Sequence, residues 1–345
     1  MKLGITSWNP LVTLAVWTGW FPTPLIAGFW GMFSSRVLIA AVELGVFEFL
    51  APRPRSAEEI SRALELDPIG TESLLNALNG FGYVRRSGGR YRNSRTVRRW
   101  LQSDARVPLD AAFGLYSVLW DEIGDMEERL RSGASRDFHA DRDSAFWQRY
   151  ETGLAQFARL TGSEIARKVD LSTPPSRLLD VGGGHGTYSM RFCSRYPDLH
   201  AEVLDLPGAA AVGRGLVEAA GLSDRITFRE GDLQSEEWGS GYDVVLLFNV
   251  VHIFTPEQCV ELFSRAHAAL RPGGTFAVLD SAHRGGTGDI DAAGGANELL
   301  FWTINNTRAY PEQDVADWMH ATGFSSVRAR HLLTVPQAAL TTGRA

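Results

Sequence analysis

Four aspartates, one histidine and a run of glycines carry the chemistry this sequence can do. Arg177-Leu-Leu-Asp180-Val-Gly182-Gly-Gly184-His-Gly186 reads as a short buried strand running into a glycine-rich turn. Four glycines in five positions remove side chains where the chain must bend, and they let a ligand touch backbone. The spacing misses the dinucleotide fingerprint, because Gly-x-Gly-x-x-Gly needs a glycine where Thr187 stands. Asp205 closes a second strand (His200 to Asp205), 25 residues after Asp180. In a doubly wound sheet such a carboxylate lies beside the first loop and can accept both hydroxyls of a ribose. A third strand, Arg225 to Phe228, leads into Glu230-Gly231-Asp232-Leu233, and a fourth, Tyr242 to Phe248, ends at Asn249-Val-Val-His252. A fifth strand follows Arg271-Pro-Gly-Gly and ends at Asp280. Adjacent strands lie about 4.8 Å apart, so Asp280 can reach and orient His252.

These elements place their polar residues at the carboxyl ends of strands, where open α/β sheets bind ligands. The segments Leu178-Leu-Asp-Val-Gly-Gly-Gly-His-Gly186, Val203-Leu-Asp-Leu-Pro-Gly208, Glu230-Gly-Asp-Leu233 and Leu270-Arg-Pro-Gly-Gly274 occur in the order and separation of a known class. With them the chain resembles the S-adenosylmethionine-dependent O-methyltransferases of plant phenolic and bacterial natural-product pathways, over nearly its whole length. The resemblance implies an α/β, Rossmann-like class I methyltransferase domain with a seven-stranded, mostly parallel sheet, preceded by a mainly helical, winged-helix-like dimerisation domain. The domain boundaries expected are 1–100 for the dimerisation domain with its N-terminal arm, 101–170 for linking helices that contribute to the substrate pocket, and 171–345 for the catalytic domain.

The same resemblance implies site roles. The cofactor is S-adenosylmethionine: Asp180, Gly182 and Gly184 at its methionine end, Asp205 with Leu206 at the ribose, Asp232 and Leu233 at the adenine, with help from Phe248 and Asn249. Methyl transfer to a hydroxyl needs an aligned acceptor, excluded water and a base. A phenol of pKa about 10 is served by a base of pKa about 6.5, which histidine supplies. Taken alone, a histidine at a strand end is structural more often than catalytic; the position of His252 matches the family's catalytic histidine and Asp280 the first of its two flanking carboxylates. Two departures stand out. His252 is followed by Ile253-Phe254 where the family has Asp-Trp, and Ala309 in Thr307-Arg-Ala-Tyr-Pro311 replaces the second carboxylate, a glutamate. Either the His252–Asp280 pair acts alone, or the reaction differs. His185 is expected to shape its turn, and His267 and His283 have weak claims. Phe113, Tyr116 and Trp120 can roof a substrate pocket or simply pack in a core, while Asn297, Phe301, Trp302 and Asn305 are candidates to line an aromatic-sized pocket.

The N-terminal third carries helical and hairpin signals. Ser34 to Leu50 has apolar residues at helical spacing, Ser56-Ala-Glu-Glu59 is a capping box, Thr71 to Phe81 gives a further helix, and Tyr83 to Arg92 reads as a hairpin turning at Gly88-Gly89. Ala111 to Arg131 reads as one linking helix. Seven arginines between Arg85 and Arg99 raise DNA binding, but a solvated hairpin face is the better reading in a chain of net charge −6. Trp8 to Phe33 is apolar and aromatic; Pro10, Pro22 and Pro24 are expected to break it, leaving no run of about 18 apolar residues to span a membrane. An arm buried against a second copy in a homodimer accounts for it better. Cys193 and Cys259 are too few for a disulfide framework and no Cys/His cluster has zinc-ligand spacing, so free thiols, a cytoplasmic location and no metal are expected.

The function expected is methyl transfer from S-adenosylmethionine to a hydroxyl of an aromatic or polyketide-type small molecule in secondary metabolism, with no nucleic acid or membrane partner. C- or N-methyl transfer, a cofactor-binding relative doing hydroxylation, decarboxylation or pericyclic chemistry, and a cofactor-responsive DNA-binding regulator are the alternatives.

Overall fold

The computed structural model describes residues 9–134, 137–171, 174–281, 292–335 and 337–345; Met1 to Trp8 of the apolar arm and His283 lie outside them. The chain divides into two compact units, Met1–Ser117 and Val118–Ala345.

In the first unit, the apolar stretch is interrupted once, at residues 18–22, where Pro22 precedes the second helix, but Pro10 and Pro24 do not break it. Pro10 and Pro24 occupy the first turns of helices Pro10–Trp17 and Thr23–Glu43, where a missing N–H costs nothing. The expectation that the prolines leave no run of about 18 apolar residues is therefore corrected: Thr23–Glu43 is a continuous helix, 21 residues long and apolar enough to cross a membrane by length and composition. Gly45, at φ 71°, ends the Ser34–Leu50 pattern early and starts a separate short helix, Val46–Phe49. The capping box forms as the sequence implies: the Glu59 N–H donates to Ser56 Oγ (3.1 Å) and the Ser56 N–H to Glu59 Oε2 (2.7 Å), opening helix Ala57–Ala63. Helix Pro68–Gly80 follows, capped by Asp67. Strands Val84–Ser87 and Arg90–Asn93 pair with Ser87 opposite Arg90, so the loop is Gly88-Gly89 alone, both at positive φ as a two-residue hairpin turn needs. The strand Arg55–Ser56 pairs on the outer side of Arg90–Asn93. Phe47, Ile60, Leu75, Leu78, Val84 and Tyr91 form the core. Arg85, Arg86, Arg90 and Arg92 all point to solvent, with Arg90 Nη1 2.8 Å from Glu59 Oε2.

The expected single linking helix is two helices, Ala112–Glu122 and Met126–Ser132. Gly124, a weak helix former, falls at the break, and the Asp125 carboxylate turns forward to Arg129 (2.9 Å).

The second unit is built on a seven-stranded sheet: β1 (Arg177–Val181), β2 (His200–Asp205), β3 (Ile226–Glu230), β4 (Tyr242–Phe248), β5 (Leu270–Ser281), β6 (Ser325–His331) and β7 (Ala338–Arg344). Their order is β3-β2-β1-β4-β5-β7-β6, parallel throughout except for β7, which runs antiparallel to both neighbours. Leu178, Val203, Val244, Leu246 and Ala277 pack on one face, and Leu179, Val181, Val245, Leu247 and Val278 on the other. A sheet buried on both faces explains why these strands are apolar runs rather than alternating ones. Strand order reverses between β1 and β4, the switch point at which such sheets hold ligands. Packed nearby is the 25-residue helix Ser144–Lys168, started by Asp143, whose carboxylate accepts the Phe146 N–H at 2.7 Å.

Candidate active site

The turn after β1 holds Gly182, Gly184 and Gly186 at φ of 67°, 41° and 65°, a region that side-chain-bearing residues rarely enter. Space forbids side chains as well. A Cβ on Gly182 would lie 2.6 Å from Val250 Cγ2, and one on Gly184 would lie 2.3 Å from Glu151 Oε2. The turn is pinned by the Gly182 N–H to Leu204 O and the Gly186 N–H to Gly183 O, both 2.8 Å. His185 accepts the Thr187 N–H on Nδ1 (3.0 Å), and burial followed by the charge of Arg159 pushes its pKa down to about 3. It shapes the turn, as expected.

Three carboxylates surround this turn. Asp180, fully buried at the end of β1, accepts the Ser189 hydroxyl on Oδ2 at 2.7 Å, while its Oδ1 has no partner. Asp205, at the end of β2, accepts the Gly184 N–H on Oδ2 and the Leu206 N–H on Oδ1, both at 2.7 Å. Glu151, from the middle of the long helix, is buried with Oε2 unpartnered. Burial pushes Asp180 and Asp205 up to about 6, the latter in spite of its two backbone N–H bonds. Burial and then the neighbouring Asp205 raise Glu151 well above the carboxylate range. Unpaired buried acceptors are costly and rare, so a turn walled by two of them fits a cationic ligand carrying N–H donors.

On the other side of the switch point, Asn249 follows β4 at φ 57°, a conformation asparagine tolerates, with its N–H donating to Leu279 O at 2.7 Å. A short 3-10 turn, Val251–Ile253, then presents His252. Its ring lies over Phe301 with centroids 3.8 Å apart and planes within 13°. His252 Nδ1 is 2.8 Å from Asp280 Oδ1, and the His252 N–H donates to Asp280 Oδ2 at 3.2 Å. With Nδ1 held by a carboxylate, Nε2 is the nitrogen left to take a proton. Thr307 Oγ1 donates to His252 O and Tyr310 OH to Phe254 O (2.7 Å), so the segment lacking the second carboxylate is laced onto the histidine turn. Ala309 is buried within it, and Glu312 just beyond pairs with His331 at 3.1 Å.

The remaining site candidates fall in different places. Leu233 packs beside Gly182, whereas Asp232 is exposed and its Oδ1 accepts the Gln234 N–H at 2.8 Å. Phe248 meets Tyr188 edge-on at 5.0 Å. Asn297, Phe301 and Asn305 recur every fourth residue along helix Ala292–Asn305, with Trp302 beside them; Asn297 donates to Ser281 Oγ at 3.2 Å. Phe113 and Tyr116 belong to the first unit, their rings edge-on at 5.3 Å, and Phe113 packs against that unit's core. Trp120 is half-buried in the second unit.

Sequence reading missed a group that the fold assembles. Phe138, Phe146, Trp147, Leu206, Ala209 and Phe301 form one apolar cluster. His139 stacks on Trp147 (5.8 Å, 12°) and lies 3.5 Å from Tyr150 OH. Burial pushes its pKa down to about 4, and the charge of His252 contributes, so His139 is a neutral imidazole near the candidate base. Glu151 was also missed. Its signal was present: one acid in an apolar stripe Trp147-Glu151-Ala155, every fourth residue of a helix with a clear N-cap.

An O-methyltransferase domain model matches residues 128–325, and an O-methyltransferase dimerisation domain model matches residues 27–103. The chain is 31% identical over 323 residues to 3-hydroxy-5-methyl-1-naphthoate 3-O-methyltransferase of Streptomyces sahachiroi, covering 89% of each chain. It is 30% identical over 260 residues to the N,N-dimethyltransferase OxyT of Streptomyces rimosus, covering 71% of this chain and 74% of that one. Among solved structures it resembles human N-acetylserotonin methyltransferase in complex with SAM, with a TM-score of 0.83 at 20% identity over 99% of each chain; that likeness speaks for the fold.

Proposed function

The chain belongs to the O-methyltransferase family, and from that premise we propose that it methylates a hydroxyl of an aromatic or polyketide-type small molecule in secondary metabolism, with His252 as the base. It is an S-adenosylmethionine-dependent methyltransferase, and the residues fit that cofactor: the glycine turn leaves no room for side chains, and the unpaired acceptors Asp180 Oδ1 and Glu151 Oε2 suit a cation. Asp180, Gly182 and Gly184 hold its methionine end, Asp205 and Leu206 its ribose, and Asp232, Leu233, Phe248 and Asn249 its adenine. When bound, S-adenosylmethionine supplies a methyl on a positively charged sulfonium whose thioether leaving group keeps the electrons of the broken C–S bond.

The observation that carries the catalytic role is the 2.8 Å contact between His252 Nδ1 and Asp280 Oδ1, with Phe301 fixing the ring plane. Nε2 accepts the hydroxyl proton as the acceptor oxygen bonds to the methyl carbon. Asp280 orients the imidazole and balances the imidazolium that forms. Phe301, Trp302, Asn297, Asn305 and Trp120 line the acceptor's pocket, and the apolar cluster around Trp147 helps exclude water. Incubation with methyl-labelled cofactor and a panel of hydroxynaphthoates and phenolic polyketides tests this: an O-methyl ether product supports it. The similarity to OxyT carries amine methylation as the second reading, and label appearing only on an amine panel would establish it in place of the first.

The enzyme is further assigned as a cytoplasmic homodimer joined through residues 1 to about 100. The dimerisation-domain match supports this, as do Leu11, Trp17 and Trp20, which are 75%, 87% and 89% exposed in the single chain. The exposed Leu25, Phe29 and Trp30 of helix Thr23–Glu43 join the same apolar surface, so association accounts for that helix without a membrane.

A further inference from the structure

We infer that Glu151 is a ligand of the cofactor's primary ammonium, shared with Asp180 across the glycine turn. The inference rests on the cofactor reading above and adds a residue outside the sequence motifs that define the cofactor cleft.

Glu151 comes from a helix that precedes the sheet, yet its carboxylate reaches the turn after β1. A Cβ on Gly184 would meet Glu151 Oε2 at 2.3 Å, and a Cβ on Gly183 would meet Asp180 Oδ1 at 2.9 Å. The two acidic side chains thus abut consecutive glycines. Each presents a buried oxygen with no hydrogen-bond partner, Glu151 Oε2 and Asp180 Oδ1, whereas the Asp205 oxygens already hold backbone N–H groups. Burying such acceptors without a donor is expensive, and the helix pays that cost on its best-packed face, between Trp147 and Ala155.

The chemistry selects among the cofactor's groups. A sulfonium has no N–H and cannot hydrogen-bond an orphan oxygen. A primary ammonium has three donors and a positive charge, enough for both carboxylates and one acceptor more. Ribose hydroxyls remain for Asp205, whose oxygens retain lone pairs.

Calorimetric titration of wild type and Glu151→Gln with two cofactor-derived ligands tests this. S-adenosylhomocysteine keeps the ammonium; 5′-methylthioadenosine keeps adenine, ribose and sulfur but lacks the amino acid. Glu151→Gln should weaken S-adenosylhomocysteine at least tenfold, as expected for a lost charged hydrogen bond, and change 5′-methylthioadenosine less than twofold. Unchanged S-adenosylhomocysteine affinity would overturn the inference. So would equal losses for both ligands, which would make Glu151 a prop for the turn. Wild type binding neither ligand would overturn the cofactor reading itself, a separate failure.

Discussion

The glycine turn and the N-terminal arm are incomplete in opposite senses. At the turn, polar groups are buried without partners: Asp180 Oδ1 and Glu151 Oε2 lie out of water with no donor. Along the arm, apolar groups are exposed without cover: Leu14, Trp17, Trp20 and Leu25 stand largely in solvent in the single chain. Each is unfavourable for an isolated, unliganded chain, and each is relieved by a different completion, the first by a cation with N–H donors and the second by an apolar surface. A buried acceptor selects its partner by charge and direction; an exposed tryptophan only asks for area. In the proposed reading, chemical specificity resides in the second unit and the arm supplies association.

The comparison breaks most sharply if chemistry and assembly can be uncoupled. His252→Ala should lower kcat by about 10²–10⁴-fold while cofactor affinity and particle mass stay as in wild type. The deficit should shrink at high pH, where a phenol ionises unaided; near wild-type turnover at neutral pH would withdraw the base role from His252. The converse change is Trp17→Ser with Trp20→Ser. A hot-spot tryptophan costs about 2 kcal/mol or more when truncated, so with both replaced the dimer dissociation constant should rise about 10³-fold by analytical ultracentrifugation. A wild-type chain that is monomeric at micromolar concentration would contradict the assembly.

A smaller effect is expected within the cleft. Asp205→Ala removes the acceptor of the Gly184 and Leu206 N–H groups as well as the proposed ribose contact. Cofactor affinity should fall at least tenfold, about 1.4 kcal/mol, and an unchanged calorimetric constant would sink that assignment. The smallest effect is a pH dependence with a definite sign. Asp180 and Asp205 are raised from 3.8 to about 6 in the folded, ligand-free protein. Between those values the folded state holds protons that the unfolded chain has released, so the contribution is full below about 3.8 and is lost as pH rises through about 6. Buried His139 and His185, lowered from 6.5 to about 4 and about 3, act in the opposite sense as pH rises to 6.5. The share of the acids is therefore read against Asp180→Asn. The Tm difference between wild type and that variant should shift against wild type between pH 5 and 7.5, by about 2–4 °C for each kcal/mol lost, and S-adenosylhomocysteine should stabilise wild type more at 7.5 than at 5. Glu164 acts in the opposite sense: burial pushes it up, but the Leu333 and Thr334 N–H groups and Lys168 bring it to about 2, so its loss falls below this window. A wild-type-minus-Asp180→Asn difference in Tm that stays constant over the pH 5 to 7.5 range in the free enzyme would refute the assignment of Asp180 as a strained group.

Legibility in the sequence follows how local each feature is. Strands β2 and β4 occupy the residues read from their apolar runs, and the capping box at Ser56 and the Gly88-Gly89 turn form where their residue types demand. The carboxyl-end acids Asp180, Asp205 and Asp280 were also legible, because strand ends in a doubly wound sheet share one edge. The prolines of the arm misled, since proline stops a helix it interrupts but starts one it precedes, and only the flanking Asn9 cap and the Thr23 start distinguish the cases. The break at Gly124 was hidden by an apolar pattern that continues across it.

The sequence by itself determined the order of strands and helices, the glycine turn and the histidine's place after β4, because these follow from backbone preferences and periodicity within a few residues. Tertiary structure alone decided that Glu151 meets Gly184, 33 positions away in the chain, that His139 stands in the field of His252, and that Phe301 lies flat on the His252 ring. Those contacts join residues far apart in the chain, set by how helices lie on the sheet, and no local pattern encodes that packing.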